Sequence, residues 1–201
     1  MRSRKPYKNI TDMKITEGEE TPWTILDSEY VVRHRWLTAR RDRVRMANGV
    51  VNDAFFVLEY PDWVNTIAVT REGKFVMIRQ YRHGVRRTSY EVCAGYCEKG
   101  ETPEESARRE LMEETGFGGG EWRELLVIAP NASSSDNYTH CFLATGVEKV
   151  AESRLEPTEE LKVFLLDEAE VLDLLKSGLV IQATMVAPLW KYFCLKSMGE
   201  L

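Results

Sequence analysis

The chain has 201 residues, a formal net charge of −5, 43% hydrophobic residues and 29% charged ones. That describes a globular protein with one domain of ordinary size and room for an appendage. The negative balance excludes non-specific nucleic-acid binding, which needs a basic footprint. No apolar run has the length of a signal peptide or a bilayer span, so a cytoplasmic protein with no membrane partner is expected.

Residues 1–20 carry no hydrophobic periodicity and read as a loosely packed arm. From Trp23 to Tyr60 the pattern is that of short strands, at Trp23–Leu26, Tyr30–Leu37, Arg40–Met46 and Phe55–Glu59, with Asn48-Gly49 as a hairpin signal between the last two. Three or four such strands have too little core to stand alone, so residues 21–60 are expected to be a small antiparallel sheet that leans on another surface. Arg40, Arg41, Arg43 and Arg45 alternate along it, either as anion contacts or as a solvated face. Residues 61–201 then form the main domain. Within it, Val64–Thr70 and Phe75–Arg79 are predicted strands joined by a short turn, followed by Gln80-Tyr81-Arg82 and by Tyr90-Glu91-Val92-Cys93-Ala94-Gly95. The planar fork of Arg82 suits a phosphate.

The stretch Gly95–Phe117, GYCEKGETPEESARRELMEETGF, dominates the chemistry. Thr102 is an N-cap, Pro103 opens the first turn, Glu105 completes a capping box and Gly116 terminates the helix. Glu110, Glu113 and Glu114 then fall on one helical face, where their like charges repel. Ala107 and Leu111 mark a different, buried face. Glu101 and Arg109 are placed to pair and pin the preceding loop to the helix. Carboxylate oxygens crowded in this way suit Mg²⁺, which would relieve the repulsion.

Past the helix, Gly118-Gly119-Gly120 reads as a flexible link. Trp122–Ala129 and Tyr138–Ala144 are predicted strands around the loop 130–137. An acidic loop, Glu152–Glu160, leads into the strand Leu161–Leu166, and Asp167 with Glu170 caps a helix ending at Ser177-Gly178. Gln182–Leu195 closes the chain as a helix with an apolar stripe of Met185, Val186, Leu189, Trp190 and Phe193. Cys93, Cys97, Cys141 and Cys194 read as reduced thiols, because their spacing and only three histidines do not build a zinc site. His34, His83 and His140 lack the pattern of a nucleophilic triad.

Gly95–Phe117 resembles the Nudix box at every fixed position: Gly95, Glu101, Arg109-Glu110, aliphatic Leu111, Glu113-Glu114, Gly116 and apolar Phe117. The flanking Gln80-Tyr81-Arg82 and Glu91-Val92-Cys93-Ala94-Gly95 resemble the ADP-ribose and ADP-sugar pyrophosphatase branch. This resemblance implies an α/β/α sandwich with a mixed sheet and Mg²⁺-dependent (or Mn²⁺-dependent) hydrolysis of a nucleoside diphosphate derivative. ADP-ribose is the leading substrate; GDP-mannose, NADH, a dinucleoside polyphosphate, or a non-catalytic nucleotide sensor are the alternatives. It further implies metal ligation by Glu110, Glu113, Glu114 and the carbonyl of Ala94, with Gly95, Glu101, Arg109 and Gly116 structural. Glu113 and Glu114 would share the catalysis with a base from the acidic loop, Glu159 by alignment or Glu160 in its place, with Glu156 a further candidate. Arg82, Glu91, Trp23 and Trp36 would meet the substrate, the tryptophans by stacking on the base or else by packing in the sheet. The branch also implies a homodimer through the N-terminal sheet. Two positions depart from it: Cys93 stands where a proline is usual, and Ala132 where the branch carries a proline beyond its box.

Overall fold

The computed structural model describes residues 22–34 and 37–201. The expected arm and Trp36 lie outside the described residues. The chain divides into two compact units between Val57 and Leu58.

The first unit is a three-stranded antiparallel sheet in the order β1-β2-β3, with β1 at Thr24–His34, β2 at Leu37–Arg45 and β3 at Val51–Glu59. The two strands expected at 23–26 and 30–37 are a single strand. Register shifts between Ile25 and Asp27 and between Tyr30 and Val32 absorb the break in alternation that suggested two. Asn48-Gly49 does make the hairpin turn: Gly49 has φ 86°, Met46 N–H donates to Val50 O at 2.8 Å, and Asn48 Oδ1 accepts from Val50 N–H at 3.1 Å.

The second unit is a seven-stranded mixed sheet between helices. Its strands are β4 (Trp63–Thr70), β5 (Phe75–Arg82), β6 (Arg87–Tyr96), β7 (Phe117–Gly118), β8 (Glu121–Ile128), β9 (Thr139–Lys149) and β10 (Leu161–Leu166). The order is β10-β5-β6-β4-β9-β7, with β8 on β9. β4 and β9 run parallel, and the other pairs in the sheet are antiparallel. Strand β4 is buried at successive residues from Val64 to Ala68 because it is covered on both faces.

Helix α1 (Pro103–Thr115) covers one face, where Ala107 and Leu111 pack on Ala68, Val76, Cys93, Val64 and Phe142. Helices α2 (Glu168–Lys176) and α3 (Ala183–Ser197) cover the other, burying Val171, Leu175, Met185, Leu189 and Tyr192 against Ile67, Phe75, Met77, Val92 and Leu143. Each such aliphatic or aromatic side chain contributes roughly 1.5–3 kcal/mol on burial, so both helix layers are fixed by apolar packing. The α/β/α sandwich with a mixed sheet is thus the observed architecture. The triple glycine is an ordered turn rather than a flexible link: Gly118 pairs with Glu148, and Gly119 and Gly120 both take φ 73° to reverse the chain.

Strand β6 positions the site. Its first half pairs with β5, from Arg82↔Arg87 to Met77↔Val92, and its last residues pair with β4, from Thr66↔Cys93 to Trp63↔Tyr96. The segment before α3 lies along it as well, since Tyr90 N–H donates to Leu179 O at 3.1 Å and Ile181 N–H to Ser89 Oγ at 3.3 Å.

Candidate active site

Helix α1 begins as its residues dictate. Thr102 Oγ1 accepts from Glu105 N–H, and Glu105 Oε2 accepts from Thr102 N–H at 2.8 Å. At the other end Gly116 takes φ 71° and donates to Met112 O at 2.8 Å. A Cβ there would lie 2.1 Å from Ala151 O, so glycine is required by space as well as by conformation.

Between these caps the carboxylates take different environments. Glu110 and Glu114 are buried at 8% and 5% exposure, while Glu113 stays near the surface. Arg109 lies across the cluster. It donates to Glu101 through Nε at 3.1 Å, to Glu110 and Glu113 through Nη1 at 2.9 and 3.1 Å, and to Tyr96 O through Nη2 at 3.2 Å. Glu101 also accepts from Ser106 Oγ at 2.7 Å, which closes the loop onto the helix. Burial raises the Glu110 carboxyl above its ordinary range while Arg109 pulls it back. Glu114 makes no ion pair among the described residues. Burial pushes it up to about 7, partly offset by hydrogen bonds from the Cys93 thiol and from Ala94 N–H at 3.1 Å, and raised further by Glu110 and Glu159. The Cys93 thiol is in turn driven well above its usual range by burial and by Glu114.

Gly95 is the floor on which this acid rests. A Cβ there would fall 2.0 Å from Glu110 Cδ and 2.1 Å from its Oε1. Gly95→Ala must therefore displace the Glu110 carboxyl. We expect at least tenfold lower turnover, with a melting temperature lowered by a few degrees, measured by initial rates and thermal denaturation.

A divalent cation fits this donor set, because two buried carboxylates carry more negative charge than one guanidinium can neutralise. Among the described residues no three acidic, histidine or cysteine side chains are gathered at ligating geometry, because Arg109 draws Glu110 and Glu113 to itself. In the acidic loop, Glu159 is the carboxylate whose charge reaches both Glu110 and Glu114. It is exposed, and its Oε2 accepts from Glu156 N–H at 2.8 Å, which closes a tight turn at Pro157-Thr158. Glu160 is exposed beside it.

A cavity of about 260 Å³ opens beside Ala94 and Gly95, lined also by Arg82, Tyr96, Asn65, Thr139, Gln182 and Thr184. Arg82 donates to Glu91 through Nε at 3.0 Å and Nη2 at 2.5 Å. Glu91 is fully buried and accepts also from Gln80 Nε2 at 3.1 Å. Glu91, which the resemblance sets against the substrate, holds Arg82 at the cavity. Gln182, read from the sequence only as a helix start, belongs to the same group: with its amide oxygen turned inward it accepts from Arg82 Nε at 3.0 Å and Nη2 at 3.2 Å. The one early sign of Asn65 was an amide side chain inside a strand, where asparagine is depleted.

In the N-terminal unit, Trp23 is 43% exposed and meets Phe55 edge-on at 5.7 Å between ring centroids. Its arginines pair within the sheet: Arg40 with Asp42 at 2.9 Å, Arg41 with Glu29, and Arg43 with Asp53 at 2.7 Å. Ala132 is exposed in the turn between β8 and β9. His140 sits between Glu124 at 2.9 Å and Asp62 at 3.5 Å.

Residues 60–186 match the NUDIX domain family. The chain belongs to the Nudix family. It is a Nudix hydrolase, and residues 23–58 match the nucleoside diphosphate sugar hydrolase N-terminal domain. It is 35% identical to an ADP-ribose pyrophosphatase of Bacillus subtilis, over 70% of this chain and 76% of the relative. It is 34% identical to a methanol dehydrogenase activator of Bacillus methanolicus, over 62% of this chain and 66% of that one. A crystal structure of an ADP compounds hydrolase superposes with a TM-score of 0.77 at 25% identity, covering 92% of this Nudix hydrolase and all of its counterpart. No helix among the described residues is long and apolar enough to cross a membrane.

Proposed function

We propose that this Nudix hydrolase cleaves the pyrophosphate bond of ADP-ribose or a related nucleoside diphosphate sugar, adding water across the P–O–P bridge to give a nucleoside monophosphate and a sugar phosphate. The observation that carries the reading is the cavity that joins Ala94 and Gly95, the seat of the buried glutamates, to Arg82. The match to the nucleoside diphosphate sugar hydrolase N-terminal domain and the kinship with an ADP-ribose pyrophosphatase support the substrate class.

In this reading Glu110, Glu113, Glu114 and the Ala94 carbonyl hold Mg²⁺, or Mn²⁺ in its place. When bound, the cation supplies charge neutralisation on the phosphate oxygens and lowers the pKa of an attacking water. Arg109 keeps Glu110 and Glu113 in position, and Glu101 keeps Arg109. Arg82, held by Glu91 and Gln182, presents its guanidinium to the diphosphate. Glu159, exposed yet within electrostatic reach of the buried pair, takes the proton of the attacking water.

The N-terminal sheet exposes Ile25, Tyr30, Val31 and Val32 along β1, an apolar surface that suits pairing with a second copy of the chain. We assign it to a homodimer, with Trp23 left exposed for stacking on a base. Four free cysteines fit a cytoplasmic setting.

Purified protein assayed in Mg²⁺ against ADP-ribose, GDP-mannose, NADH and dinucleoside polyphosphates is expected to turn over ADP-ribose or another nucleotide sugar fastest. Preference for a dinucleoside polyphosphate would move the substrate assignment, and no turnover of any of them would refute it. Cys93 beside Glu114, where the branch carries proline, is the reason to keep the non-ADP sugars in the panel.

A further inference from the structure

The cavity beside the site has a feature that phosphate binding leaves unexplained. Asn65 and Thr139 both line it, each only 1% exposed. Their strands adjoin, since Asn65 pairs with Ala94 across β4 and β6, and Trp63 pairs with Thr139 across β4 and β9. Asn65 Nδ2 donates to Thr184 O at 2.7 Å, a bond that fixes which way the amide faces. Asn65 Oδ1 and Thr139 Oγ1 have no hydrogen-bond partner among the described residues. The neighbouring Cys141 thiol donates to the Thr139 carbonyl at 3.9 Å and lies within hydrogen-bond reach of the Asn65 amide nitrogen, which leaves Asn65 Oδ1 and Thr139 Oγ1 unpaired. Buried polar atoms are nearly always paired, and leaving two unpaired in one cavity disfavours the free protein.

The chemistry of the two atoms defines what can pair them. Asn65 Oδ1 is an acceptor, so its partner must be an O–H or N–H group, and the Thr139 hydroxyl can accept from or donate to that same group. A diphosphate presents only acceptors at neutral pH and cannot pair Asn65 Oδ1. It is drawn instead to Arg82 and to the metal-holding face of Ala94 and Gly95. The cavity is thus divided into a part suited to charge and a part suited to an uncharged donor.

We propose that Asn65 Oδ1 and Thr139 Oγ1 form a specificity-determining subsite that receives an uncharged hydrogen-bond-donating group of the substrate, either a glycosyl hydroxyl or the exocyclic amine of the base. Thr184 sets the amide of Asn65, and Gln182 and Arg82 close the side facing the diphosphate. The inference rests on the reading that the substrate is a nucleoside diphosphate derivative, and it names the part of that substrate the sheet itself reads.

Thr139→Val keeps the shape and removes the hydroxyl, and Asn65→Leu removes the amide. Both variants and the wild type would be titrated calorimetrically with pyrophosphate, AMP and ribose 5-phosphate, with melting temperatures recorded alongside. The expected result for Thr139→Val is an unchanged or raised melting temperature, because an unpaired buried hydroxyl has been removed, together with at least tenfold weaker binding of one product half. Weakening with AMP alone assigns the donor to the nucleoside half, and weakening with ribose 5-phosphate alone assigns it to the sugar phosphate half. Equal weakening of all three ligands, or of none, overturns the subsite. Should Asn65→Leu fold poorly, Thr139→Val carries the test by itself. A wild type that hydrolyses nucleotide sugars while the variants bind as it does overturns only this inference; a wild type that hydrolyses none of them overturns the underlying reading and the subsite with it.

Discussion

Glu114→Gln is expected to lower turnover by roughly 10³-fold, the scale of losing a group that organises charge in the transition state, while making the metal-free protein more stable at neutral and alkaline pH. The second half follows from the folded-state pKa of about 7, against an ordinary glutamate value of 4.5. A carboxyl whose pKa is raised by folding binds its proton more tightly in the native state, so its contribution to stability is full below pH 4.5. That contribution is lost as pH rises to about 7. The loss over this window is about 3 kcal/mol, at 1.36 kcal/mol per pKa unit. Glutamine cannot ionise, so the variant should lack this decline. Denaturant titrations of metal-free wild type and Glu114→Gln at pH 4.5, 6 and 8 would measure it. A parallel pH dependence in both proteins would contradict the assignment. Added Mg²⁺ should restore wild-type stability at pH 8 and do little for the variant, because cation binding and proton loss are linked at this group.

Arg82→Ala is expected to destabilise the protein by about 3–5 kcal/mol and to abolish substrate binding together. Most of the stability loss comes from Glu91, which is fully buried and would lose its guanidinium partner. Removing both members separates the two effects. Arg82→Leu combined with Glu91→Leu replaces the ion pair by apolar bulk and should recover most of the stability, as buried pairs exchanged for hydrophobic residues often do. It should not recover activity, because the guanidinium that reaches the cavity is gone. Equilibrium unfolding with steady-state kinetics on the single and double variants checks both statements. Recovered activity in the double variant would restrict Arg82 to a structural role.

The contrast between these two acidic residues shows which parts of the site were legible in advance. Glu114 sits in a helix whose two caps, buried face and acidic face are each set by residues within five positions of one another, so the sequence exposed its environment in outline. Glu91 lies in a strand, and alternation marks which side it faces but not what comes to meet it. Its position within the box-flanking motif suggested substrate contact. Within the chain its partners are Arg82 and Gln80, brought by the β5–β6 pairing, and the Gln182 segment beside them, brought by the chain beyond α2. The N-terminal strands teach the same lesson on a smaller scale: two bulges interrupted the alternation without interrupting the strand, because pairing with β2 holds β1 together through them.

By itself, the sequence determined the capped helix, its three glutamates, the glycines at 95 and 116, the Glu101–Arg109 pairing and the order of most strands and helices. These depend on local propensity, capping and short-range periodicity, which operate over a few residues. Only the tertiary structure decided that Glu91 holds Arg82 and that Gln182 joins them, and that Asn65 and Thr139 meet in one cavity. Those arrangements depend on the register of β4 against β6 and β9, and on where α3 is docked by its apolar stripe. Such choices are made by packing between residues far apart in the chain, and no local pattern encodes them.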